Sequence, residues 1–105
     1  MKANMAILAI VTGNSLTKKM YDEVRKEVNW EHNHPIGAYF HAAGFDESGN
    51  NMYVADVWES EEQFNDFIRT RIAPVMEKIN APNLKVDVYP IHNVNAFPGI
   101  DKYKV

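Results

Sequence analysis

The sequence predicts a single α+β domain of the ferredoxin-like type, with its elements in the order strand, helix, strand, strand, helix, strand. Four short apolar or alternating segments have the length of strands, and two longer segments carry apolar residues at helical spacing. The 105 residues fit one domain, and a composition of 46% apolar and 24% charged residues is that of a globular protein. The predicted domain covers residues 1–93, and residues 94–105 form a C-terminal tail without clear periodicity.

The first two predicted elements are a buried strand and an amphipathic helix. Residues 5–12 form a continuous apolar run that ends at Gly13 and Asn14, which favours a buried strand over a helix. Thr17 then supplies an N-cap for a helix over residues 18–31. The apolar stripe of this helix consists of Met20, Tyr21, Val24 and Val28.

A capping box marks the start of the second helix. Ser60 is expected at the N-cap and Gln63 three residues later, so that a helix over residues 61–80 follows. Pro74 interrupts the apolar pattern of this helix and is expected to kink it just before the proline. A last strand is predicted over residues 84–91.

Two strands between the helices, residues 36–45 and 51–59, form a hairpin with two different surfaces. Because right-handed crossovers place both helices on one face of the sheet, the opposite face must be bare. Alternate side chains of each strand point to opposite faces of the sheet. The more apolar of the two sets is expected under the helices and comprises Ile36, Ala38, Phe40, Ala42, Tyr53, Ala55 and Val57. The bare face is expected to carry Tyr39, His41, Phe45, Val54, Asp56 and Trp58. Such a mixed exposed surface indicates an interface or a ligand groove, so we predict a homodimer whose two sheets enclose a barrel cavity.

Composition and charge exclude several classes of function. The net charge is −3 and Lys and Arg do not cluster, so no nucleic-acid partner is predicted. The absence of cysteine excludes disulfides and thiolate sites, and the five scattered glycines do not form a phosphate-binding loop. No stretch is long enough to span a membrane, so no membrane partner is predicted. The apolar run after Lys2 lacks a signal-peptide cleavage pattern, and a cytoplasmic protein is therefore expected.

His41 and Asp56 are the candidate catalytic residues. They lie on adjacent predicted strands with the same inferred facing, so the hairpin is expected to bring them opposite each other. An Asp that accepts a hydrogen bond from one imidazole nitrogen raises the basicity of the other nitrogen, and such a pair can act as a general base. The alternative is a buried hydrogen-bonded pair that only specifies packing.

A second group of polar residues, Glu31, His32 and His34, lies in the loop after the first helix. A His-x-His pair can hold a transition metal. No further ligand besides Glu31 is evident nearby, so we predict a solvated loop and no metal site.

Several motifs are similar to those of a known group of proteins. They are the segments 41–44 (HAAG) and 54–60 (VADVWES), then Phe64, Phe67, Arg71, Pro74 and Val75, and the late segment 90–92 (PIH). Over roughly residues 5–93 the chain resembles the dimeric α+β barrel superfamily, and within it antibiotic-biosynthesis-monooxygenase-like proteins of unassigned function. The resemblance implies the ferredoxin-like α+β fold and a homodimer.

The resemblance also implies a substrate pocket and the absence of a cofactor. In cofactor-free monooxygenases of this group, a Trp at the position of Trp58 borders the pocket. The candidate substrate-binding residues are accordingly Trp58, Tyr39, Val54 and Phe45. Alternatively, Trp58 plugs the barrel, and Tyr39 and Tyr89 pack at its rim. Haem-degrading members carry a His on the second helix, which is absent from residues 61–80, and monooxygenase members often carry an Asn in the first strand, which residues 5–11 lack.

Three functions are compatible with this pattern. The first is a cofactor-independent monooxygenase-like enzyme that acts on a small hydrophobic substrate, with His41 as base, Asp56 as the residue that orients it, and Trp58 as a substrate wall. The second is a non-catalytic ligand-binding or stress-related protein that uses the same cavity. The third is a purely structural dimer with a filled core.

Overall fold

The computed structural model describes residues 5–105, and the order of its elements is the predicted one. Lys2, which entered the signal-peptide argument, lies outside the described residues. The elements are β1 (Ile7–Gly13), α1 (Lys18–Val28), β2 (Ala38–Phe45), β3 (Met52–Trp58), α2 (Glu61–Phe67), α3 (Ala73–Lys78) and β4 (Lys85–Pro90). A π-helical turn, Ile68–Ile72, joins α2 to α3, and a 3-10 turn, Pro98–Tyr103, lies in the C-terminal tail.

The four strands form one antiparallel sheet in the order β2-β3-β1-β4. The two central strands are therefore β1 and β3, and each helical segment connects a central strand to an edge strand. This arrangement confirms the predicted ferredoxin-like α+β fold. No helix among residues 5–105 has the length and apolar content needed to cross a membrane.

Both helices begin at the predicted caps. The Thr17 hydroxyl accepts a hydrogen bond from the Met20 N–H at 3.2 Å, and the Ser60 hydroxyl accepts one from the Gln63 N–H at 3.2 Å. Helix α1 ends earlier than predicted because Asn29 adopts the left-handed conformation, with φ 60° and ψ 45°. The loop that follows Asn29 is thereby free to fold back toward the sheet.

The predicted kink of the second helix is a π-helical turn immediately before Pro74. Proline lacks the N–H of a regular helix, and its ring clashes with the carbonyl of the residue four positions earlier, which is Thr70 here. The widened turn Ile68–Ile72 accommodates this conflict between α2 and α3. Turns of this kind are frequent at functional sites.

The core lies between the helices and one face of the sheet. The strands contribute Ile7, Ala9, Val11, Met52, Val54 and Trp58, and the helices and the β1–α1 loop contribute Leu16, Val24, Val28, Phe64 and Phe67. Trp58 and Phe64 are only 1% exposed and pack edge to face. Burial of such aromatic rings contributes most of the favourable free energy of a core of this size.

The faces of the sheet are the reverse of those predicted from the strand parities. The helices cover the face that carries His41, Asp56 and Trp58, whereas Phe40 and Val57 lie on the bare face and outside the core cluster. Ala38 is an exception: a β-bulge, in which Ala38 pairs with Trp58 and Phe40 with the adjacent Val57, leaves one extra residue on β2 and places Ala38 against the core, as predicted. The prediction was wrong because it placed the more apolar set of side chains under the helices, whereas His41 is satisfied there by Tyr21 of α1.

Candidate functional site

A cavity of about 80 Å³ lies between the helices and the covered face of the sheet. Most of its lining is apolar and includes Val11, Val24, Val54, Phe64, Phe67, Ile68 and Ile72. Four polar side chains also line it, namely Tyr21, Arg25, His41 and Asp56. This cavity lies within one chain, under the helices, whereas the sequence had indicated a cavity between the sheets of two chains, which a single chain does not test. An apolar cavity with a few converging polar groups is the usual form of a small-molecule site.

His41 and Asp56 are directly opposite each other on β2 and β3, as the hairpin predicted. The His41 Nδ1 is 2.6 Å from the Asp56 Oδ1, and Asp56 is 5% exposed. The second carboxylate oxygen of Asp56 accepts a hydrogen bond from the Trp58 Nε1–H at 3.1 Å. Because an ionised carboxylate only accepts hydrogen bonds, the hydrogen shared with His41 belongs to Nδ1. The Nε2 of neutral His41 is then the basic nitrogen.

The second partner of His41 is Tyr21 of α1, whose hydroxyl is 2.7 Å from the His41 Nε2. Arg25 donates from Nη1 to the Tyr21 oxygen at 2.8 Å, and from Nε to Glu31 Oε1 at 3.0 Å. Its Nη2 is also bonded to Glu31. A continuous hydrogen-bonded series thus connects the buried Trp58 indole to the exposed Glu31 carboxylate. We call this series the polar relay, and its members are Trp58, Asp56, His41, Tyr21, Arg25 and Glu31.

The roles of Tyr21 and Arg25 were not predicted from the sequence. Tyr21 was assigned only to the apolar stripe of α1, and Glu31 only to the histidine-containing loop. Part of this arrangement can be read from the sequence, because residues four positions apart in a helix lie on one face. Arg25 is therefore placed beside the Tyr21 hydroxyl. What the sequence did not show is that this face of α1 packs against His41.

The pKa values of three members of the polar relay, Tyr21, Arg25 and Glu31, are shifted by their surroundings. Burial raises the pKa of the Tyr21 phenol, and the hydrogen bond and charge of Arg25 only partly oppose this effect. Burial disfavours the Arg25 charge, but hydrogen bonds to Glu31 and Tyr21 outweigh it and raise the pKa of Arg25. The hydrogen bond from Arg25 lowers the pKa of Glu31. A neutral phenol therefore lies beside a permanent ion pair.

Trp30 and Tyr21 hold the imidazole of His41 in place. The Trp30 ring centroid is 4.7 Å from that of His41, and the Tyr21 ring is nearly parallel to the imidazole at 6.1 Å. Trp30 also packs edge to face on Phe67 at 5.0 Å, and it lines the cavity. The loop that carries Trp30 is fixed to the sheet side by these contacts and to α1 by the Arg25–Glu31 ion pair.

The four candidate substrate-binding residues have different positions. Val54 lines the cavity directly. Trp58 is packed between Phe64 and Phe67, and its N–H supports Asp56 from behind. Phe45 packs edge to face on Tyr21 at 5.7 Å, and Tyr39 is 64% exposed at the β-bulge. The structure brings together Val54, His41 and Asp56 at the cavity, with Trp58 and Phe45 behind its polar wall.

The loop after α1 has no arrangement of ligands for a metal. Glu31 is engaged by Arg25, and the His34 Nε2 is hydrogen-bonded to the Ala38 carbonyl at 3.1 Å. Across residues 5–105, no group of three or more His, Asp or Glu side chains is arranged to hold a metal ion.

The architecture around this site matches several solved structures, although no protein-family model and no curated protein matches the sequence. A variant of SnoaB, a cofactor-independent oxygenase from Streptomyces nogalater, superposes with a TM-score of 0.58 at 13% identity, over 88% of this chain and 97% of that one. A proposed antibiotic biosynthesis monooxygenase from Chloroflexus aurantiacus gives 0.60 at 10% identity, over 87% and 97% of the two chains. This chain has the fold of the antibiotic-biosynthesis-monooxygenase-like proteins.

The same fold also occurs in proteins without an assigned activity. A protein of unknown function from Nitrosomonas europaea superposes with a TM-score of 0.66 at 11% identity, over 92% of this chain and 99% of that one. The predicted resemblance to antibiotic-biosynthesis-monooxygenase-like proteins is confirmed for the fold, which is what identities of this size show.

Proposed function

We propose that this chain is a small-molecule-binding α+β barrel protein that acts as a cofactor-independent, monooxygenase-like enzyme on a small hydrophobic substrate. The observation that carries the proposal is the His41–Asp56 pair at the wall of an apolar cavity. Asp56 holds the orientation and tautomer of His41 so that Nε2 is the accepting nitrogen, which is the arrangement of a general base. The fold shared with a cofactor-independent oxygenase supports the reaction class by analogy.

The reaction that such a site supports begins with removal of a proton from an acidic C–H bond of the substrate. The electron pair left on carbon then reduces O₂, and addition of O₂ to that carbon with return of the proton gives a hydroperoxide. A hydroperoxide on a carbon that keeps a second hydrogen loses water to form a carbonyl group. One oxygen atom enters the product and the other leaves as water, so the residues need to supply only acid–base catalysis.

The volume of the cavity restricts the substrate. An engineered cavity of about 150 Å³ holds benzene, and the cavity here, at about 80 Å³, is roughly half as large. A substrate with an aromatic ring therefore requires rearrangement of flexible lining side chains, of which Met52 and Met76 are the most adaptable. Substrates with only a few heavy atoms fit without such a change.

The proposal is tested by ligand screening followed by oxygen uptake. Small phenols and 1,3-diketones that raise the melting temperature of the protein are incubated with it in air-saturated buffer without added cofactor. Oxygen uptake that depends on the protein is expected for at least one of these compounds, with loss of about 100-fold or more in His41→Ala. Uptake that is unchanged in His41→Ala would contradict the role of His41, and no uptake with any bound compound would contradict the oxygenase proposal.

The barrel is proposed to form by homodimerisation. The sheet face opposite the helices carries Leu8, Ile10, Phe40 and Ala55, which are partly exposed, and Val57, which is buried among its neighbours on that face. Tyr53 and Tyr89, which are 51% and 52% exposed, flank this surface. A contiguous apolar face of this kind on a small protein marks an interface, and a second copy of the same face is complementary to it.

One observation favours a non-catalytic ligand-binding protein as the second candidate. Among residues 5–105, every buried side-chain nitrogen and oxygen has a hydrogen-bond partner within the chain. The polar relay is therefore complete without a ligand, as expected if His41 and Asp56 only stabilise the fold. In that case Asp56→Asn lowers stability by about 3–5 kcal/mol, and bound compounds are not converted.

A further inference from the structure

Both ring nitrogens of His41 are already engaged within the chain. Nδ1 donates to Asp56 at 2.6 Å, and Nε2 lies 2.7 Å from the Tyr21 hydroxyl. A ligand in the cavity that approached Nε2 would have to displace Tyr21 or transfer its proton through Tyr21. The side chain of His41 also packs against the Trp30 ring at 4.7 Å and is hydrogen-bonded at both ring nitrogens, so it is not free to turn toward a ligand.

The direction of the hydrogen bonds around Tyr21 follows from its neighbours. Arg25 has only donors, so its Nη1 at 2.8 Å must donate to the phenol oxygen. With the hydrogen of neutral His41 on Nδ1, its Nε2 accepts, and the Tyr21 O–H therefore donates to Nε2. Tyr21 lines the cavity, and its phenol oxygen, which accepts one hydrogen bond from Arg25, retains acceptor capacity for a further donor.

We propose that Tyr21 is the catalytic residue that takes the proton from the bound ligand, and that it passes its own phenolic proton to His41. This inference rests on the proposed function and names the group that contacts the substrate. Arg25 has a separate part, because its guanidinium lies beside the phenol oxygen, where it stabilises negative charge that develops on the ligand. His41 lies behind Tyr21 and is the final proton acceptor. Asp56 is the counter-ion of the imidazolium that forms.

The proton transfer balances within the site. The ligand X–H bond breaks and an O–H bond forms at Tyr21, while the original Tyr21 O–H bond breaks and an N–H bond forms at His41 Nε2. Tyr21 ends as a neutral phenol, His41 becomes an imidazolium beside the Asp56 carboxylate, and the ligand becomes an anion near Arg25. Burial raises the pKa of Tyr21, so the phenol is neutral at rest and serves as a relay.

The class of substrate follows from this path. The ligand enters a largely apolar cavity, so it is neutral when it binds, and it becomes an anion only beside Arg25. The cavity of about 80 Å³ favours a molecule with few heavy atoms. We infer a small neutral carbon acid, which carries a C–H bond next to a carbonyl or nitro group.

Nitroethane is a suitable probe, because it is small and its acidic hydrogens exchange with D₂O at a rate that proton NMR measures directly. The readout does not involve oxygen. The wild-type protein, Tyr21→Phe, His41→Ala and Tyr103→Phe are compared at equal concentration, with folding checked by circular dichroism. Tyr103 is the matched control, because it is 77% exposed in the tail. We expect the wild type and Tyr103→Phe to accelerate exchange equally, and Tyr21→Phe and His41→Ala to lose about 100-fold of that acceleration.

The outcomes separate this inference from the proposed function. Wild-type exchange that is unchanged in Tyr21→Phe but lost in His41→Ala would overturn the role of Tyr21 and leave His41 as a direct base. An absence of acceleration by the wild type, relative to free imidazole, would overturn the proposed base and the relay together. If Tyr21→Phe does not fold, wild-type protein labelled with 3-fluorotyrosine replaces it. A relay through the phenol then requires a changed exchange rate, because fluorine makes the phenol more acidic, and an unchanged rate contradicts the inference.

Discussion

Asp56 determines which tautomer His41 adopts, because both carboxylate oxygens already accept hydrogen bonds from His41 and Trp58. The carboxylate is held in one orientation by the indole of Trp58, which packs between two phenylalanines. The position of a large core aromatic residue is in this way coupled to the chemistry of a histidine. At this scale the site is defined by which atoms can donate and which can only accept.

We predict that neutral His41 carries its hydrogen on Nδ1. Long-range ¹⁵N–¹H correlation NMR distinguishes the protonated from the unprotonated ring nitrogen. In Asp56→Asn the amide can donate to Nδ1, so the neutral ring is expected to shift toward the Nε2–H tautomer. Detection of the Nε2–H tautomer in the wild-type protein would contradict the assigned direction of the polar relay.

We predict that Tyr21 makes stability more dependent on alkaline pH. Burial raises the pKa of Tyr21 in the folded chain above its unfolded value of about 10. The unfolded chain therefore loses this proton first, and the stability that the neutral phenol contributes is full below that pH and is lost as the pH rises through the folded pKa. Urea unfolding at pH 8 and near pH 11 is expected to show a steeper loss for the wild type than for Tyr21→Phe. Equal pH dependence in the two proteins would show that the phenol is not shielded.

Among the strands, β2 begins with an irregular geometry next to His41. Gly37 precedes β2 with φ at +88°, and its carbonyl accepts a hydrogen bond from the Glu59 N–H at 2.8 Å. The β-bulge at Tyr39 follows directly. These two features rotate the start of β2 so that Ala38 and His41 lie on the same side of the sheet.

We predict that Gly37→Ala destabilises the fold by about 1–3 kcal/mol, because alanine is strained at this positive φ. An added Cβ would also lie 2.6 Å from the Oε1 of Gln63, which belongs to the capping box of α2. Gly99→Ala is the matched control, since a Cβ there has no atom within 4 Å. Urea unfolding measures both variants. A similar small change in both would contradict the structural requirement for glycine at residue 37.

For the whole molecule, the two faces of the sheet have different roles. One face of the sheet encloses the cavity together with the helices. The opposite face is bare and carries Leu8 and Ile10 of β1. Small domains gain stability by covering such a face with a second copy. In the proposed homodimer each chain keeps a complete cavity, because all members of the polar relay come from one chain.

We predict that the protein sediments with the mass of two chains at micromolar concentration. Ile10→Lys is expected to give single chains, because Ile10 lies on the bare face between Ala55 and Asp87, and burial of an ammonium group between two apolar sheets is costly. Ile36→Lys is the matched control, since Ile36 is 82% exposed and outside the sheet. A wild-type protein that sediments as one chain, or a dimer that tolerates Ile10→Lys, would contradict this interface.

The sequence by itself determined the order of the elements, their caps and the pairing of His41 with Asp56. These features depend on short-range chemistry: hydroxyl caps at Thr17 and Ser60, a proline that disrupts the second helix, and a hairpin that aligns its two strands. The resemblance of the hairpin and second-helix motifs to antibiotic-biosynthesis-monooxygenase-like proteins was likewise sufficient for the fold.

Only the tertiary structure decided which face of the sheet the helices cover, and therefore where the cavity lies. Strand alternation has a period of two and separates two sets of side chains, but it does not show which set is buried. That choice depends on tertiary packing: Tyr21 of α1 binds His41 of β2, and Trp58 binds Asp56 within an aromatic core. Buried polar groups are tolerated when such partners satisfy them, and this is the physical reason that the more polar face of the sheet became the core.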